Sequence, residues 1–236
     1  MAGLRNSRTR HQAALFAQRI LTEAVDTSTQ VDSRCVQVGP VTVELSIDLD
    51  NPLRELISDA FVPTATSRPE QQLGLVVSQF DRGIGYPSFD WARDWIERGK
   101  PVDSELTGRR RIFIDRNHGA VYVYDLEENL GAIILRRNRH LDIRSFITPF
   151  RIFWNWVAQA RGGVIAHAGC VGQDGHAIVI GGPSGSGKSS LCLELWKRGS
   201  HTFVADDCVW IEAGFAYAVF ARAKLSQFST PGLTPT

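Results

Sequence analysis

Two kinds of hydrophobic spacing mark the beginning of the chain. From Cys35 to Ile47, apolar residues largely alternate with polar ones, and Gly39-Pro40 interrupts the run. Alternation is the period of a strand with one buried face, so this segment predicts a short β-hairpin. The preceding stretch instead carries apolar residues at helical spacing, namely Ala13, Leu15, Ala17, Ile20 and Leu21. This spacing predicts an N-terminal helix that needs one neighbour to pack on, although the arginine-rich, acid-poor composition is also typical of an organellar transit peptide.

Turn residues and apolar spacing predict the elements that follow. Asn51-Pro52 supplies a cap and a first-turn proline for a helix whose apolar face includes Phe61. The turn Asn117-His118-Gly119 lies between two alternating runs and predicts an antiparallel hairpin. The predicted strands are Leu73 to Phe80, Arg111 to Asp115, Val121 to Asp125 and Ala132 to Leu135, and a further helix is predicted from Phe89 to Gly99.

A longer helix is predicted from Ile143 to Ala160, because its large apolar residues recur along one face, with Pro149 in the first turn. After Gly162-Gly163 the sequence changes to short apolar strands separated by glycines. We therefore predict an N-terminal α+β region at 1–145, which we expect to recognise the substrate, and a nucleotide-binding core with a mixed sheet at 146–236. The fold class of the whole chain is α/β.

Composition and charge exclude several classes of partner. The 26 basic and 25 acidic residues leave a formal charge of +1, so no global field favours nucleic acid or a membrane surface. No apolar run is long enough to cross a bilayer. The four cysteines form no Cys-x-x-Cys pair with neighbouring histidines, so the sequence predicts neither a zinc site nor a disulfide framework. We expect a soluble protein of the reducing cytoplasm.

The chemistry is concentrated in a glycine-rich segment between the strand His176 to Ile180 and the helix Ser189 to Arg198. The segment is Gly182, Pro183, Ser184, Gly185, Ser186, Gly187, Lys188 and Ser189, followed by Ser190. Glycines allow successive backbone N–H groups to turn inward as an anion nest, and the helix N-terminus adds partial positive charge. The pattern matches a phosphate-binding P-loop, in which Lys188 reaches the β- and γ-phosphates and Ser189 completes the coordination of Mg²⁺. The predicted ligands are ATP and Mg²⁺.

Two further segments are predicted to approach this loop. The strand Val164 to Val171 forms a hairpin with the strand before the loop and carries His167, which is either a hydrogen-bonded core residue or a functional one. Gly199 is predicted to end the helix. The strand His201 to Ala205 follows, and it is predicted to be a neighbour of the loop strand. Asp206 and Asp207 come directly after this strand. Oriented carboxylates suit both Mg²⁺ and a hydroxyl nucleophile, whereas the ordinary alternative is a solvated strand end.

These linked motifs resemble the HPr kinase/phosphorylase family of the phosphoenolpyruvate-carboxykinase-like P-loop group. The resemblance rests on His167-Ala168, the Gly-x-x-x-x-Gly-Lys-Ser loop, the helix end Lys197-Arg198-Gly199 and Val204-Ala205-Asp206-Asp207. It implies that Lys188 and the loop amides hold the phosphates and that Ser189 and Asp207 lie at the metal. Asp206 is assigned as the base and His167 as its assistant, and the roles of the two aspartates are exchangeable.

The N-terminal region is more similar to that of shorter HPr-kinase-related proteins, some of which phosphorylate a serine on a ribosomally made peptide. We therefore expect an ATP-dependent kinase that acts on a serine or threonine hydroxyl of a peptide or protein. The family core continues beyond the residues that follow Glu212 here, which keeps open an ATP-binding regulatory module without transfer activity. A small-molecule kinase and a homo-oligomeric assembly also stay open.

Overall fold

A computed structural model describes the chain at residues 7–26, 31–48, 54–63, 73–79, 102–105, 110–115, 119–135 and 150–220. The architecture is mixed α/β, with few helices and mixed strand directions. The chain divides into two compact units. The first contains Met1–Gln37, Val41–Ser58 and Pro63–Ser145, and the second contains Val38–Pro40, Asp59–Val62 and Phe146–Thr236. Among the described residues, no helix has the length and apolar character needed to cross a membrane.

Among the described residues, the N-terminal elements are two helices and eight strands. The helices are α1 (Ser7–Asp26) and α2 (Arg54–Ser58). The strands are β1 (Val31–Val38), β2 (Val41–Asp48), β3 (Val62–Pro63), β4 (Leu73–Gln79), β5 (Val102–Glu105), β6 (Arg110–Asp115), β7 (Ala120–Asp125) and β8 (Leu130–Leu135). They form one sheet in the order β3-β1-β2-β4-β8-β7-β6-β5. The pairs β2/β4 and β4/β8 are parallel, whereas the pairs from β8 through β5 are antiparallel.

Helix α1 packs on this sheet through a stripe of small and branched residues. Ala13, Ala17 and Ile20 are fully buried against sheet residues such as Ile112 and Ile134. Leu15 was expected on the same face, but its side chain is 58% exposed. The reason is helical geometry, because residue 15 is two positions from residue 13 and points away from the stripe that residues 13, 17 and 20 form.

Sequence patterns predicted most of the described strands of this region. The hairpins at Gly39-Pro40 and before Gly119 are confirmed, with strand bounds within a few residues of the prediction. The helix after Asn51-Pro52 is shorter than predicted, because it ends at Ser58 and Phe61 lies beyond it. The helix predicted from Phe89 to Gly99 lies outside the described residues.

The part of the second unit that the structure describes contains two helices and two three-stranded antiparallel sheets. The helices are α3 (Arg151–Ala160) and α4 (Lys188–Lys197). One sheet has the order β11-β10-β12 and the other β14-β13-β9. Their strands are β9 (Val164–Ala166), β10 (Gly169–Gln173), β11 (His176–Ile180), β12 (Thr202–Ala205), β13 (Val209–Glu212) and β14 (Phe215–Ala218).

Helix α3 supplies the aromatic core of the second unit. Phe153 and Trp154 are fully buried with their rings edge to face, 5.0 Å between centroids, and Phe61 meets Trp154 at 5.5 Å. The sequence predicted a helix that begins at Ile143. Within the described residues it begins at Arg151, because Phe150 has a left-handed backbone with φ of 63°. The predicted first-turn position of Pro149 lies outside the described residues.

Two predictions about the strands of this unit are wrong. The segment predicted as one strand from Val164 to Val171 is two strands, because the chain leaves one sheet at Ala166 and enters the other at Gly169. His167 therefore lies in the crossing and not within a strand. The strand that precedes Asp206 is not a neighbour of β11, because β10 pairs with both and separates them.

The register of β10 brings three chain segments to one edge of its sheet. Gly169 pairs with Ile180 of β11, and Cys170 pairs with Ala205 of β12. Since β10 is antiparallel to both neighbours, the two outer strands end where β10 begins. The residues next to these ends are His167-Ala168, the loop from Gly181, and Asp206-Asp207. Pairing alone thus assembles the segments that the motif analysis singled out.

Gly169 is required by the packing of α4 on β10. A Cβ at this position would lie 2.5 Å from Cys192 Sγ, which is inside van der Waals contact. We predict that Gly169→Ala destabilises the protein by about 1–3 kcal/mol through overpacking, measured by urea unfolding. Gly181→Ala is the matched control, because its Cβ would meet nothing within 4 Å. Adding Cys192→Ala should recover part of the loss, and strict additivity of the two substitutions would contradict this explanation.

Candidate functional site

The loop between β11 and α4 contains three glycines with positive φ and leads directly into the helix N-terminus. Gly182, Gly185 and Gly187 have φ of 152°, 80° and 89°, values that disfavour residues with a Cβ. Gly187 is the N-cap of α4, and no side chain caps the first turn of the helix. Residues 181–187 are exposed. The first-turn amides of a ten-residue helix therefore face a solvent-accessible turn without a side-chain acceptor.

Lys188 is held inside this loop by the loop's own carbonyl groups. Its side chain is buried, and Nζ donates to the backbone oxygens of Gly182 at 2.9 Å and Pro183 at 3.0 Å. An ammonium group has three N–H donors, so these bonds use two and leave one for a ligand. These two hydrogen bonds hold the buried ammonium group beside the backbone amides of the loop. Such a group of N–H donors has the chemistry that suits a multiply charged anion.

Ser189 connects the loop to the end of β12. Its hydroxyl donates to Asp206 Oδ1 at 2.7 Å, and the Asp206 side chain is buried. The two residues are distant in sequence, and the register of β10 makes their contact possible. From the sequence, Ser189 and Asp207 were expected at a metal, and Asp206 was expected to act as the base. The contact instead groups Ser189 with Asp206.

Asp207 turns away from Ser189 and pairs with His167. Its backbone is left-handed with φ of 68°, a conformation that aspartate tolerates better than most residues. The neighbouring turn is closed by the Cys208 amide, which donates to the Asp206 carbonyl at 2.9 Å. His167 Nδ1 lies 2.8 Å from Asp207 Oδ1 and 3.2 Å from the Asp207 carbonyl oxygen. Consecutive aspartates therefore serve two different partners.

The two acceptors at His167 Nδ1 select its tautomer. Because both neighbours of Nδ1 are oxygens, Nδ1 carries the proton and donates to Asp207. In the neutral ring, Nε2 then holds a lone pair. The His167 side chain is 38% exposed, and among the described residues Nε2 makes no hydrogen bond. The pair is an imidazole oriented by a carboxylate, on a side chain that is partly exposed to solvent.

The other predicted loop residues have simpler surroundings. The Ser186 amide donates to the Pro183 carbonyl at 3.3 Å, and Ser184, Ser186 and Ser190 are exposed. Cys192, which the sequence motifs did not single out, is buried one turn after Ser189. Burial, and secondarily the charge of Asp206, raises the pKa of its thiol, so it stays protonated at neutral pH. The sequence signal for Cys192 is its spacing of three residues from Ser189, which places both side chains on the same face of the helix.

The donor set fits Mg²⁺ held jointly with a phosphate ligand. Within the described part of the chain, no three His, Cys, Asp or Glu side chains gather into a metal site. Mg²⁺ bound with nucleotides usually takes one or two protein oxygens and completes its shell with phosphate and water. The Ser189 hydroxyl and the Asp206 carboxylate, in contact at 2.7 Å, are such oxygens.

Comparison with known proteins adds no assignment. No protein-family model matches the chain, and no curated protein matches its sequence.

The His167 tautomer provides a test of the site that is independent of activity. We predict that long-range ¹H–¹⁵N spectra recorded at about pH 8.5 show a proton on Nδ1 of His167. Asp207→Ala should shift the population toward the Nε2–H form, because the nearer acceptor of the Nδ1 proton, the carboxylate at 2.8 Å, is lost and only the carbonyl at 3.2 Å remains. His176 is the internal control, since its Nδ1 contacts the Asp174 carbonyl at 2.9 Å and does not depend on Asp207. An unchanged His167 spectrum in Asp207→Ala would contradict the orientation described here.

Proposed function

We propose that this protein is an ATP-dependent phosphotransferase that moves the γ-phosphoryl group to a serine or threonine hydroxyl of a peptide or protein. The proposal includes a P-loop core of the HPr-kinase type, in which an antiparallel strand, β10, separates the loop strand from the acidic strand end. The observation that carries it is the Ser189–Asp206 hydrogen bond of 2.7 Å. It joins the hydroxyl at the end of the phosphate loop to an acid from another strand, which is the arrangement that a nucleotide–Mg²⁺ complex requires.

Nucleotide binding follows from charge and backbone geometry. The amides of the loop and of the first turn of α4 donate to phosphate oxygens, and the remaining N–H of Lys188 reaches the β- and γ-phosphates. Lys188 is already oriented by the Gly182 and Pro183 carbonyls, so little side-chain entropy is lost on binding. Phosphate charge is thus met by donors that need no rearrangement.

The two aspartates take separate roles in this proposal. Asp206 and Ser189 would hold Mg²⁺, which when bound neutralises charge on the phosphates. Asp207 and His167 together accept the proton of the attacking hydroxyl. This proposal exchanges the roles that the sequence suggested for the two aspartates. The reason is their contacts, because Asp206 contacts Ser189, whereas Asp207 contacts His167.

Phosphoryl transfer then needs positioning more than covalent help from the protein. The transferring group passes between leaving and attacking oxygens that lie roughly in line, and the loop donors hold the leaving side. Asp207 is the residue that follows Asp206 in the chain. The Asp207–His167 pair, which accepts the proton, and the groups that donate to phosphate are therefore proposed to belong to one site. A peptide or protein acceptor is proposed because the N-terminal region resembles that of shorter HPr-kinase-related proteins, some of which phosphorylate a peptide serine.

Lys188→Met tests the nucleotide site. Loss of the charged donor should weaken binding of a fluorescent ATP analogue by about 100-fold, which corresponds to about 3 kcal/mol. Lys197→Met is the matched control, because this lysine lies in the last turn of the same helix and is exposed. Its affinity should stay within about twofold of the parent protein. Thermal unfolding of both variants checks that the loop variant is folded, and unchanged affinity of folded Lys188→Met would refute the proposed site.

Asn substitutions at the two aspartates test the division of roles. Asp206→Asn should bind ATP normally in chelator but lose the tightening that Mg²⁺ produces. Asp207→Asn should retain Mg²⁺-dependent binding and lower the transfer of labelled phosphate to a Ser/Thr peptide pool by about 10²–10⁴-fold. Isothermal titration and phosphopeptide mass spectrometry provide the two readouts. If wild type binds ATP but labels no peptide, the protein is a nucleotide-binding module and the transfer proposal fails.

A further inference from the structure

Strand β11 forms an uncovered edge of its sheet. In the order β11-β10-β12 it pairs on one side, with β10, so its other side presents backbone N–H and C=O groups to which no described strand bonds. Residues 176–179 are exposed, among them Ile178 at 45% and Val179 at 39%. The strand contains no lysine, no proline and no bulge, which are the features that usually protect an edge. This edge is therefore open to pairing with another strand.

The turn before β11 determines which of its backbone groups point outward. Residues 174–175 form a two-residue turn with φ of 50° and 77°, as a type I′ hairpin requires. Such a turn closes on a hydrogen-bonded pair, here Gln173 with His176, so every second residue of β11 counted from His176 bonds to β10. The residues between them, Ala177 and Val179, therefore direct their N–H and C=O groups to the free side.

We propose that β11 pairs with β11 of a second copy of this chain, antiparallel and centred on Ile178, so that two three-stranded sheets join into one of six strands. In this register Ala177 of each copy meets Val179 of the other, and the outward backbone groups of both residues are hydrogen-bonded. A centre at Ala177 or at Val179 would leave one residue of each strand without a partner in β11. The pairing goes beyond the proposed function and needs no nucleotide.

The strand is self-complementary, which favours a second copy as its occupant. A symmetric dimer contact requires a surface that matches itself, and antiparallel pairing of one strand with its copy provides this through a two-fold axis. Ile178 lies at the axis and meets its own copy, and the small Ala177 lies opposite the larger Val179. The only ionisable side chain of β11 is His176, which meets Ile180, so no like charges face each other.

The face of the sheet that carries Ile178 is the face that α4 covers. Gly169 packs against Cys192 of α4 and pairs with Ile180 of β11. Paired residues share a face, and so do residues two apart in a strand, so Ile180, Ile178 and His176 lie on the helix side. Because the two-fold axis stands perpendicular to the joined sheet, the α4 helices of both copies cover the same face.

Leu191 extends the apolar surface beside the free edge. Ser189 directs its hydroxyl to Asp206 at the end of β12, which identifies the flank of α4 that faces β12. At about 100° per residue, Leu191 is about 200° around the helix from Ser189 and lies on the flank toward β11. Its side chain is 47% exposed. In the joined sheet, Leu191 of each copy flanks the central Ile178 pair, so the dimer removes apolar surface from water as well as pairing backbone groups.

The same pairing brings the second copy to the start of the phosphate loop. His176 of the second copy lies opposite Ile180, and the next residue, Gly181, begins the loop. The contact between copies and the candidate site therefore share strand β11.

Cysteine cross-linking tests the register. A residue at the axis meets its own copy at about 4.5 Å between Cα atoms when the pair is not hydrogen-bonded, which is within the reach of a disulfide. Ile178→Cys should therefore form a disulfide-linked dimer with oxidised glutathione, seen on a non-reducing gel. Val179→Cys is the matched control, because it lies diagonal to its own copy, at about 7–8 Å, and cannot be bridged. Equal cross-linking of the two variants would refute this register.

Sedimentation velocity tests the interface itself. Over a concentration series the full chain should show a monomer–dimer equilibrium, because a contact of this size belongs to the weak class. Ile178→Lys places two ammonium groups opposite each other and should weaken association by at least about tenfold. Val164→Lys is the matched control, because Val164 is β-branched, 50% exposed, and on β9, an edge of the other sheet. Its association constant should stay within about twofold of wild type.

Urea unfolding of both lysine variants verifies that they are folded. Wild type that stays monomeric at every concentration would refute the pairing and would mean that something other than a second copy covers the edge. Association of Ile178→Lys as tight as that of wild type would also refute it, because the dimer would then use another surface. Since neither experiment contains nucleotide, this proposal and the proposed function fail independently.

Discussion

Antiparallel pairing of β10 with β11 on one side and β12 on the other is the constraint on which the candidate site depends. Gly169 meets Ile180, and Cys170 meets Ala205, so the ends of the two outer strands lie beside the start of the middle strand. Each hydrogen-bonded pair fixes the position of one of these strand ends, along the strand direction, relative to the others. A register slip would also turn each side chain to the opposite face of the sheet. The loop, the aspartates and His167 are therefore positioned by backbone bonds more than by side-chain packing.

Packing below the loop reinforces this register. Helix α4 approaches β10 so closely that Cys192 Sγ occupies the space of a side chain at position 169. The close approach holds Lys188 and Ser189, at the start of α4, against the strand ends. The small core of this sheet, formed by residues such as Ala168, Cys170 and Ala205, allows the short distance. A larger residue at position 169 would move the helix, and with it the hydroxyl that meets Asp206.

Two short contacts separate the side chains of the candidate site into two groups. Ser189 with Asp206 forms an oxygen pair next to the phosphate loop, and His167 with Asp207 forms an oriented imidazole. The left-handed backbone of Asp207 separates them, because it turns the second carboxylate away from the first. Backbone strain of this kind persists where the surrounding structure enforces it, and it is frequent at functional sites. In the proposed function, this separation provides one group for phosphate and metal charge and another for the acceptor hydroxyl.

The sequence by itself determined the local features: the alternating hairpins, the glycine-rich loop with its positive φ angles, and the helix that ends at Gly199. These depend on neighbours a few residues apart, so the information is contained in the spacing. Tertiary structure decided the rest. The apolar run from Val164 to Val171 has the same character on both sides of His167, and only its pairing with β13 or with β11 and β12 divides it between two sheets. The partners of Asp206 and Asp207 likewise depended on long-range register and on one left-handed residue, which no local pattern specifies.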